Sequence, residues 1–401
     1  MWELVKKFGL ECCDLPTMIW NISATLRILC VNIDRRNKSI PVAFYIFTGF
    51  IGISYWYVYG VSNIWFVFWR CRETKDLQTA TIFLSIQLAS EFGPLRMMFM
   101  IYYKSKIMDI VEKYLEYDSL VKSGNTSAAL LKRLRTVKKR ALIFWFIIVG
   151  NGLGYLIKPL LLPGKRFIED DQVIFGLEPL YDSPNYEIAY ILTAGGIIFV
   201  LFTTAHTTAF FIVLIGYTEA QLCTMSENLM CLWDDAKTYC NEHPNSFNLN
   251  KARYVNKNKD EEITSKMLNR FVKKRLDEII KKHTFNIDLI KQIEETFRAC
   301  IVLEYMLLTT ALVAVLLGGL ENTYIELPFS LLLVSVNCFM GQKLMNASET
   351  FSEAVYGCRW ENFDIGNMKK NTYNFDKCPE TFDLDCGWDQ GVELRVFGFD
   401  Y

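Results

Sequence analysis

The chain has 401 residues, is 51% hydrophobic and 14% aromatic, and carries a formal charge of -1. A soluble protein of that length would divide into two or three domains, but here the apolar residues are gathered into long runs between charged ones, which makes the bilayer the expected solvent. The near-zero charge gives no electrostatic footprint for a nucleic-acid partner.

Residues 1–40 are mixed and charged, with Lys6, Lys7, Arg27, Arg35, Arg36 and Lys38, and contain no secretory signal. The first apolar helix is therefore expected to act as its own insertion signal. That helix covers residues 41–61 (PVAFYIFTGFIGISYWYVYGV), which hold no charge; about 20 apolar residues suffice to cross a hydrocarbon core of about 30 Å. Comparable runs follow at about 77–100, 141–162, 188–215, 297–317 and 327–344. The predicted fold is an all-α polytopic membrane bundle over 41–344 with six spans.

Two spans are impure. Glu91 and Arg96 interrupt the second, and Arg298 and Glu304 open the fifth. Such groups are costly in lipid and are expected to face the bundle interior, to pair, or to snorkel. Glu91 and Arg96 are five apart, on different faces of one helix, and are not read as a pair with each other.

Lys and Arg near the spans set the orientation. With the N-terminus inside, the inner segment 101–140 carries Lys104, Lys106, Lys132, Arg133, Arg135, Lys138, Lys139 and Arg140. The inner segment 216–296 carries Arg270, Lys273, Lys274, Arg275, Lys281 and Lys282. The outer loops offer only Arg70, Arg72 and Lys75, then Lys165 and Arg166. A G-protein-coupled receptor has the opposite orientation, so no G protein is expected as partner. The sequons at Asn21, Asn125 and Asn346 fall on the inner side or in a helix and should not be glycosylated.

Within the inner segment, 241–260 (NEHPNSFNLNKARYVNKNKD) reads as a polar linker. Beyond it Ile263, Met267, Phe271, Ile279, Ile290, Ile293 and Phe297 recur at three-to-four-residue intervals. This predicts an amphipathic helix that runs into the fifth span and packs its apolar face on other helices or subunits; the alternative is a solvated extension.

No catalytic constellation stands out, so no enzyme, cofactor or metal site is expected. The three histidines, His206, His243 and His283, are far apart and lack metal-ligand spacing. His206, within Thr203-Thr-Ala-His-Thr-Thr208, reads first as part of a polar patch bonding to neighbouring helices and second as a proton relay or ligand contact. Only Cys71 among the cysteines lies in a predicted outer loop, which argues against a disulfide framework.

The stretch Gly341-Gln-Lys-Leu-Met-Asn-Ala-Ser348 and the following Ala354, Tyr356 and Trp360 resemble a pattern that follows the sixth helix in the insect odorant receptor family. Ile279-Ile-Lys-Lys-His283 resembles that family's basic helix ahead of the fifth span, and Tyr181-Asp-Ser-Pro-Asn-Tyr186 its loop entering the fourth. The resemblance covers Phe8 to Asn371. It implies seven helices in the plasma membrane of a sensory neuron, and a tetrameric ligand-gated cation channel formed with a shared co-receptor. It also implies a pocket for a small volatile ligand among the outer halves of helices two to four and six, and a pore lined by helix seven. His283, Gly341, Ser348, Ala354, Tyr356 and Trp360 are the motif positions it would assign to subunit packing. From the predicted helix directions alone, the outer halves hold Phe83, Ile86, Gln87, Tyr155, Thr193, Ile197 and Phe329, which are the candidate ligand contacts.

Residues 345–371 should lead to the seventh helix, but the polar, acidic stretch 372–401 has no window long and apolar enough to span. Read one nucleotide later, Thr372-Tyr-Asn-Phe-Asp376 can encode Leu-Ile-Ile-Leu, and Pro379-Glu-Thr-Phe382 can encode Gln-Lys-Pro-Leu. Asp385-Cys-Gly-Trp-Asp-Gln390 can likewise encode Thr-Ala-Gly-Gly-Ile. These pieces match the family's continuation in order, so a one-nucleotide frameshift near codon 371, in the gene or in the gene model, is the expected cause. The rival readings are a gustatory receptor, a polytopic transporter, a regulatory tail, and a truncated or pseudogene product that cannot conduct.

Overall fold

The computed structural model describes residues 6–37, 39–122, 128–161, 163–164, 173–242, 257–319 and 326–376. Among them the regular structure is entirely helical: α1 (Leu15–Leu26), α2 (Val42–Thr74), α3 (Leu77–Ser90), α4 (Phe92–Tyr102), α5 (Lys104–Lys122), α6 (Ala128–Leu161), α7 (Asn185–Glu242), α8 (Lys257–Gly318), α9 (Glu326–Gly357) and α10 (Ile365–Asp376). Five of these, α2, α6, α7, α8 and α9, are each long and apolar enough to cross a membrane.

The second predicted span is not one helix but two, α3 and α4, and this corrects the continuous run expected over 77–100. Pro94 has no N–H, and its ring crowds the carbonyl of Ser90 four residues earlier, so the helix stops there and restarts from Glu91. The first helix departs from expectation in the other direction. It continues past residue 61 through two π-helical turns, Trp56–Ser62 and Phe66–Arg70, as far as Thr74. The outer loop that should have held Arg70 and Cys71 shrinks to Lys75, which has φ 57°, and Asp76, whose carboxylate caps α3 by accepting from the Thr79 N–H at 3.1 Å. Cys71 is buried beneath it against Phe66 and Phe83.

α7 forms the axis of the bundle: 89% of its apolar window is buried by the other helices, against 17% for α6. It packs on α6, α9, α2, α4 and α8. Close packing is made possible by Gly216, where a Cβ would collide with Val137 of α6, and by Gly93 of α4, where one would overlap Thr203 and Thr204.

α7 does not end at residue 215, and α8 does not begin at the membrane; each is one uninterrupted helix into the segment predicted to be inside. There Leu222, Met225, Leu229, Val272, Leu276, Ile279, Phe351 and Val355 form a second core, with Phe271 and Ile290 packed against it. The amphipathic face of α8 is therefore used for packing. Residues 243–256 of the predicted linker lie outside the described residues, and its flanks 241–242 and 257–260 are helical.

Segments predicted to share the inner side meet at one end of the bundle. Arg35 binds Glu112 at 2.6 Å and also pairs with Asp109; Arg133 pairs with Glu227, and Lys370 with Asp277. The N-terminal segment holds a helix that the sequence reading missed. α1 is capped by the Asp14 carboxylate on Thr17 with Pro16 in the first turn, a start signal present in the sequence. It is anchored nearby by Lys138, whose ammonium donates to the carbonyls of Lys7, Gly9 and Cys12 at 2.5–2.7 Å. The ten described cysteines are free thiols.

Of the anomalous stretch 372–401, residues 372–376 complete α10, and the remainder lies outside the described residues.

Candidate functional site

The four charged groups flagged in the spans find partners. Arg96 of α4 donates Nε and a terminal nitrogen to both carboxylate oxygens of Glu304 in α8, at 2.6 and 2.7 Å. Both side chains are shut off from solvent. Arg96 also donates to the Thr208 hydroxyl of α7 at 3.2 Å and to the Asn337 side-chain oxygen of α9 at 3.1 Å. Its guanidinium lies between the rings of Phe92 and Phe211, 4.3 and 4.7 Å from their centroids. The Cys300 thiol donates to Glu304 at 3.2 Å. A planar cation with five donors suits this role, because one group can tie four helices at once. Thr208, Glu304 and Asn337 each lie about seven residues, or about 10 Å of helix rise, from the basic ends of the predicted spans. Arg298 sits lower and pairs within α8 to Glu294 at 2.6 Å.

His206 bonds in the way its neutral ring allows. Nε2 accepts from the indole N–H of Trp145 in α6 at 3.2 Å, while Nδ1 bonds the Phe202 carbonyl at 2.7 Å. It is a polar link between α6 and α7.

The ligand-contact candidates fall on α3, α6, α7 and α9. Ile86, Tyr155, Ile197 and Phe329 belong to one apolar cluster, and Ile86 also touches a second, in which Phe83 packs edge-on to Phe66 at 4.8 Å. Gln87 donates to Glu91 at 2.7 Å and accepts from Asn63 at 3.5 Å. Thr193 is buried on α7, and its hydroxyl has no hydrogen-bond partner among the described residues. The sequence reading missed further polar groups at this end: Ser85 of α3 donates to Glu326 of α9 at 2.9 Å, and Ser330 is buried one turn further along. Glu326 was visible as the charge just before the sixth apolar run, but its burial against α3 was not.

The motif positions divide into two groups. His283 stacks on Phe351 with ring centroids 4.4 Å apart, and Gly341, Ser348 and Ala354 are buried along α9. Tyr356 and Trp360 are exposed, at 63% and 42%. Among the described residues no cluster of His, Cys, Asp and Glu could hold a metal ion.

Long apolar helices around a buried central helix, tied by a buried ion pair that joins four helices, define a multi-pass all-α membrane protein. The family model of the 7tm odorant receptors matches residues 76–375, and the chain belongs to that family. It is an odorant receptor, a transmembrane protein of olfaction. The fold is similar to that of the insect olfactory receptor OR5 from Machilis hrabei, with TM-score 0.64 and 11% identity over 91% of this chain and 89% of that one. The same figures hold for that receptor in complex with eugenol. A comparison with curated proteins finds no match.

Proposed function

We propose that this chain is the ligand-binding subunit of an odorant-gated cation channel assembled with a co-receptor in the plasma membrane, with its N-terminus in the cytoplasm. The observation that carries this reading is the family match, and the arrangement of the bundle supports it. The solved receptor of the same fold was determined with eugenol, a small aromatic volatile. In this chain the outer-half candidates are apolar with a few polar groups, which suits such a ligand. The pocket assigned on this basis is lined by Phe83, Ile86, Gln87, Tyr155, Thr193, Ile197 and Phe329, with Thr193 and Gln87 fixing orientation. A ligand there acts by its greater affinity for the open arrangement of the helices that converge on Arg96. Tyr356 and Trp360, exposed beside the second core, are the aromatic anchors for a neighbouring subunit.

The test is a ligand-induced thermal shift of the purified chain across an odorant panel that includes eugenol. A stabilising ligand should lose about tenfold in affinity in Thr193→Val, with the unliganded melting temperature nearly unchanged because that hydroxyl has no partner among the described residues. The same loss is expected in Ile197→Ala, where the unliganded melting temperature also falls because a buried side chain is truncated. An unaltered affinity in both variants would move the pocket elsewhere.

A second reading is favoured by the polar stretch 372–401: a receptor that binds but does not conduct, because a frameshift has removed its seventh helix. Sequencing RNA and genomic DNA across codons 365–401 decides between an artefact, in which the RNA restores Leu-Ile-Ile-Leu and Gln-Lys-Pro-Leu, and a gene that carries the shift.

A further inference from the structure

A groove of about 190 Å³ runs between α6, α7 and α9, away from the outer-half candidates. Its walls are Ile143, Ile147, Ile212, Leu332 and Val336, and Ile143, Ile147 and Phe339 are about half exposed along its open side. Gly216 forms part of the floor, where α7 meets Val137. The chemistry changes at one end only. Arg140, Glu219 and Lys343 stand at the mouth, on the three different helices.

Arg140 and Glu219 pair at 2.6 Å, which leaves the mouth with the uncompensated charge of Lys343. Lys343 forms no ion pair among the described residues; its ammonium lies 5.6 Å from the Phe339 ring, which the Arg140 guanidinium faces at 5.4 Å. The mouth therefore presents two cations converging on one aromatic ring and a single carboxylate.

Two magnitudes select the occupant. The groove is smaller than the about 300–1,000 Å³ typical of a pocket enclosing a whole small-molecule ligand, and it is open along its length. From Lys343 to Leu332 it extends about 16 Å of helix rise, close to half of a hydrocarbon core of about 30 Å. A slot one leaflet deep, apolar throughout and basic at the headgroup level, fits one acyl chain with an acidic headgroup above it. We propose that this groove is a binding site for an anionic phospholipid, with a chain along Ile143, Ile147 and Val336 and the net-negative headgroup held by Lys343 and Arg140. The site is separate from the odorant pocket. It rests on the membrane placement of α6, α7 and α9; in a cell, the N-inside orientation puts it in the cytoplasmic leaflet, where anionic lipids are concentrated.

The full chain, reconstituted in nanodiscs of the same lipid in both leaflets, is to be labelled with a phosphatidylserine carrying a photoreactive acyl chain, and in parallel with the matching phosphatidylcholine. Symmetric discs make the result independent of orientation, and omitting odorant makes it independent of the ligand reading. Labelled peptides should contain residues 143–147 or 332–340. Phosphatidylserine should label them about fivefold more than phosphatidylcholine, the factor expected of one basic residue at an anionic surface. Lys343→Gln should abolish that preference; it breaks no ion pair, so the fold is not at risk. Val336→Trp, which fills the slot, should reduce labelling by both lipids. Equal labelling by the two lipids would make this ordinary annular contact and overturn the proposal. So would a preference that survives Lys343→Gln, or crosslinks from this groove to a second subunit.

Discussion

Glu304 shows how a single residue in a bilayer is decided by its partners. A buried carboxylate left alone is strongly unfavourable, and so is a buried guanidinium; together, with Thr208 and Asn337 taking further Arg96 N–H groups, they satisfy one another. Glu304→Ala should therefore destabilise the chain by about 3–5 kcal/mol, chiefly by stranding Arg96. The double variant Arg96→Met with Glu304→Ala should recover much of that loss. Thermal unfolding in detergent of the two single variants and the double variant checks this. If the double variant were no better than the worse single one, the ion pair would be doing something other than compensating its own burial. The sequence marked both residues as costly in a span; their pairing, 208 residues apart in the chain, depends on how α4 and α8 cross. The same limit applies to Glu326 and Ser85, which are 241 residues apart.

At the scale of elements, the break between α3 and α4 and the approach of α4 to α7 belong together. Pro94 ends the ladder, and Gly93 beside it removes the Cβ that would strike Thr203 and Thr204. Gly93→Val should destabilise by more than the about 1–3 kcal/mol of ordinary overpacking, because the obstruction includes the Thr204 backbone nitrogen, which cannot rotate away. A companion variant, Gly150→Val, at a site open for at least 4 Å, should cost far less in the same melting experiment. The anchoring of the N-terminal segment is an element-level event as well. Lys138→Met removes the donor shared by Lys7, Gly9 and Cys12, so amide exchange over residues 6–13 should accelerate while that of α7 is unchanged. The helical rise of α8 was legible from its apolar spacing. The extension of α2 was not, since π-helical turns leave no periodic signature and the charges at Arg70 and Arg72 read as a loop.

For the molecule as a whole, the question is whether binding and conduction still go together. Co-expressed with a co-receptor, the 401-residue chain should give no odorant-evoked current, while a version whose frame is restored after Asn371 should conduct. A normal current from the chain as written would remove the case for a lost pore helix. Ligand-induced stabilisation should be similar in both, because the assigned pocket lies wholly within residues 83–329. A pocket that needed the seventh helix would show itself as loss of binding along with loss of current.

The sequence by itself determined the class: a bundle of long apolar helices, basic residues gathered in particular segments between them, an amphipathic face on α8, and the motif that carries the family likeness. These are local properties, because transfer of about 20 apolar residues into lipid and the placement of Lys and Arg are set by composition over a short window. Tertiary structure alone decided that α7 is the buried axis, that Arg96 finds Glu304, that Cys71 is covered, and that Arg140 and Lys343 share the mouth of one groove. Each of these depends on the rotation and crossing of helices far apart in the chain, and a pattern of apolar residues facing lipid on one side and protein on the other leaves that rotation open.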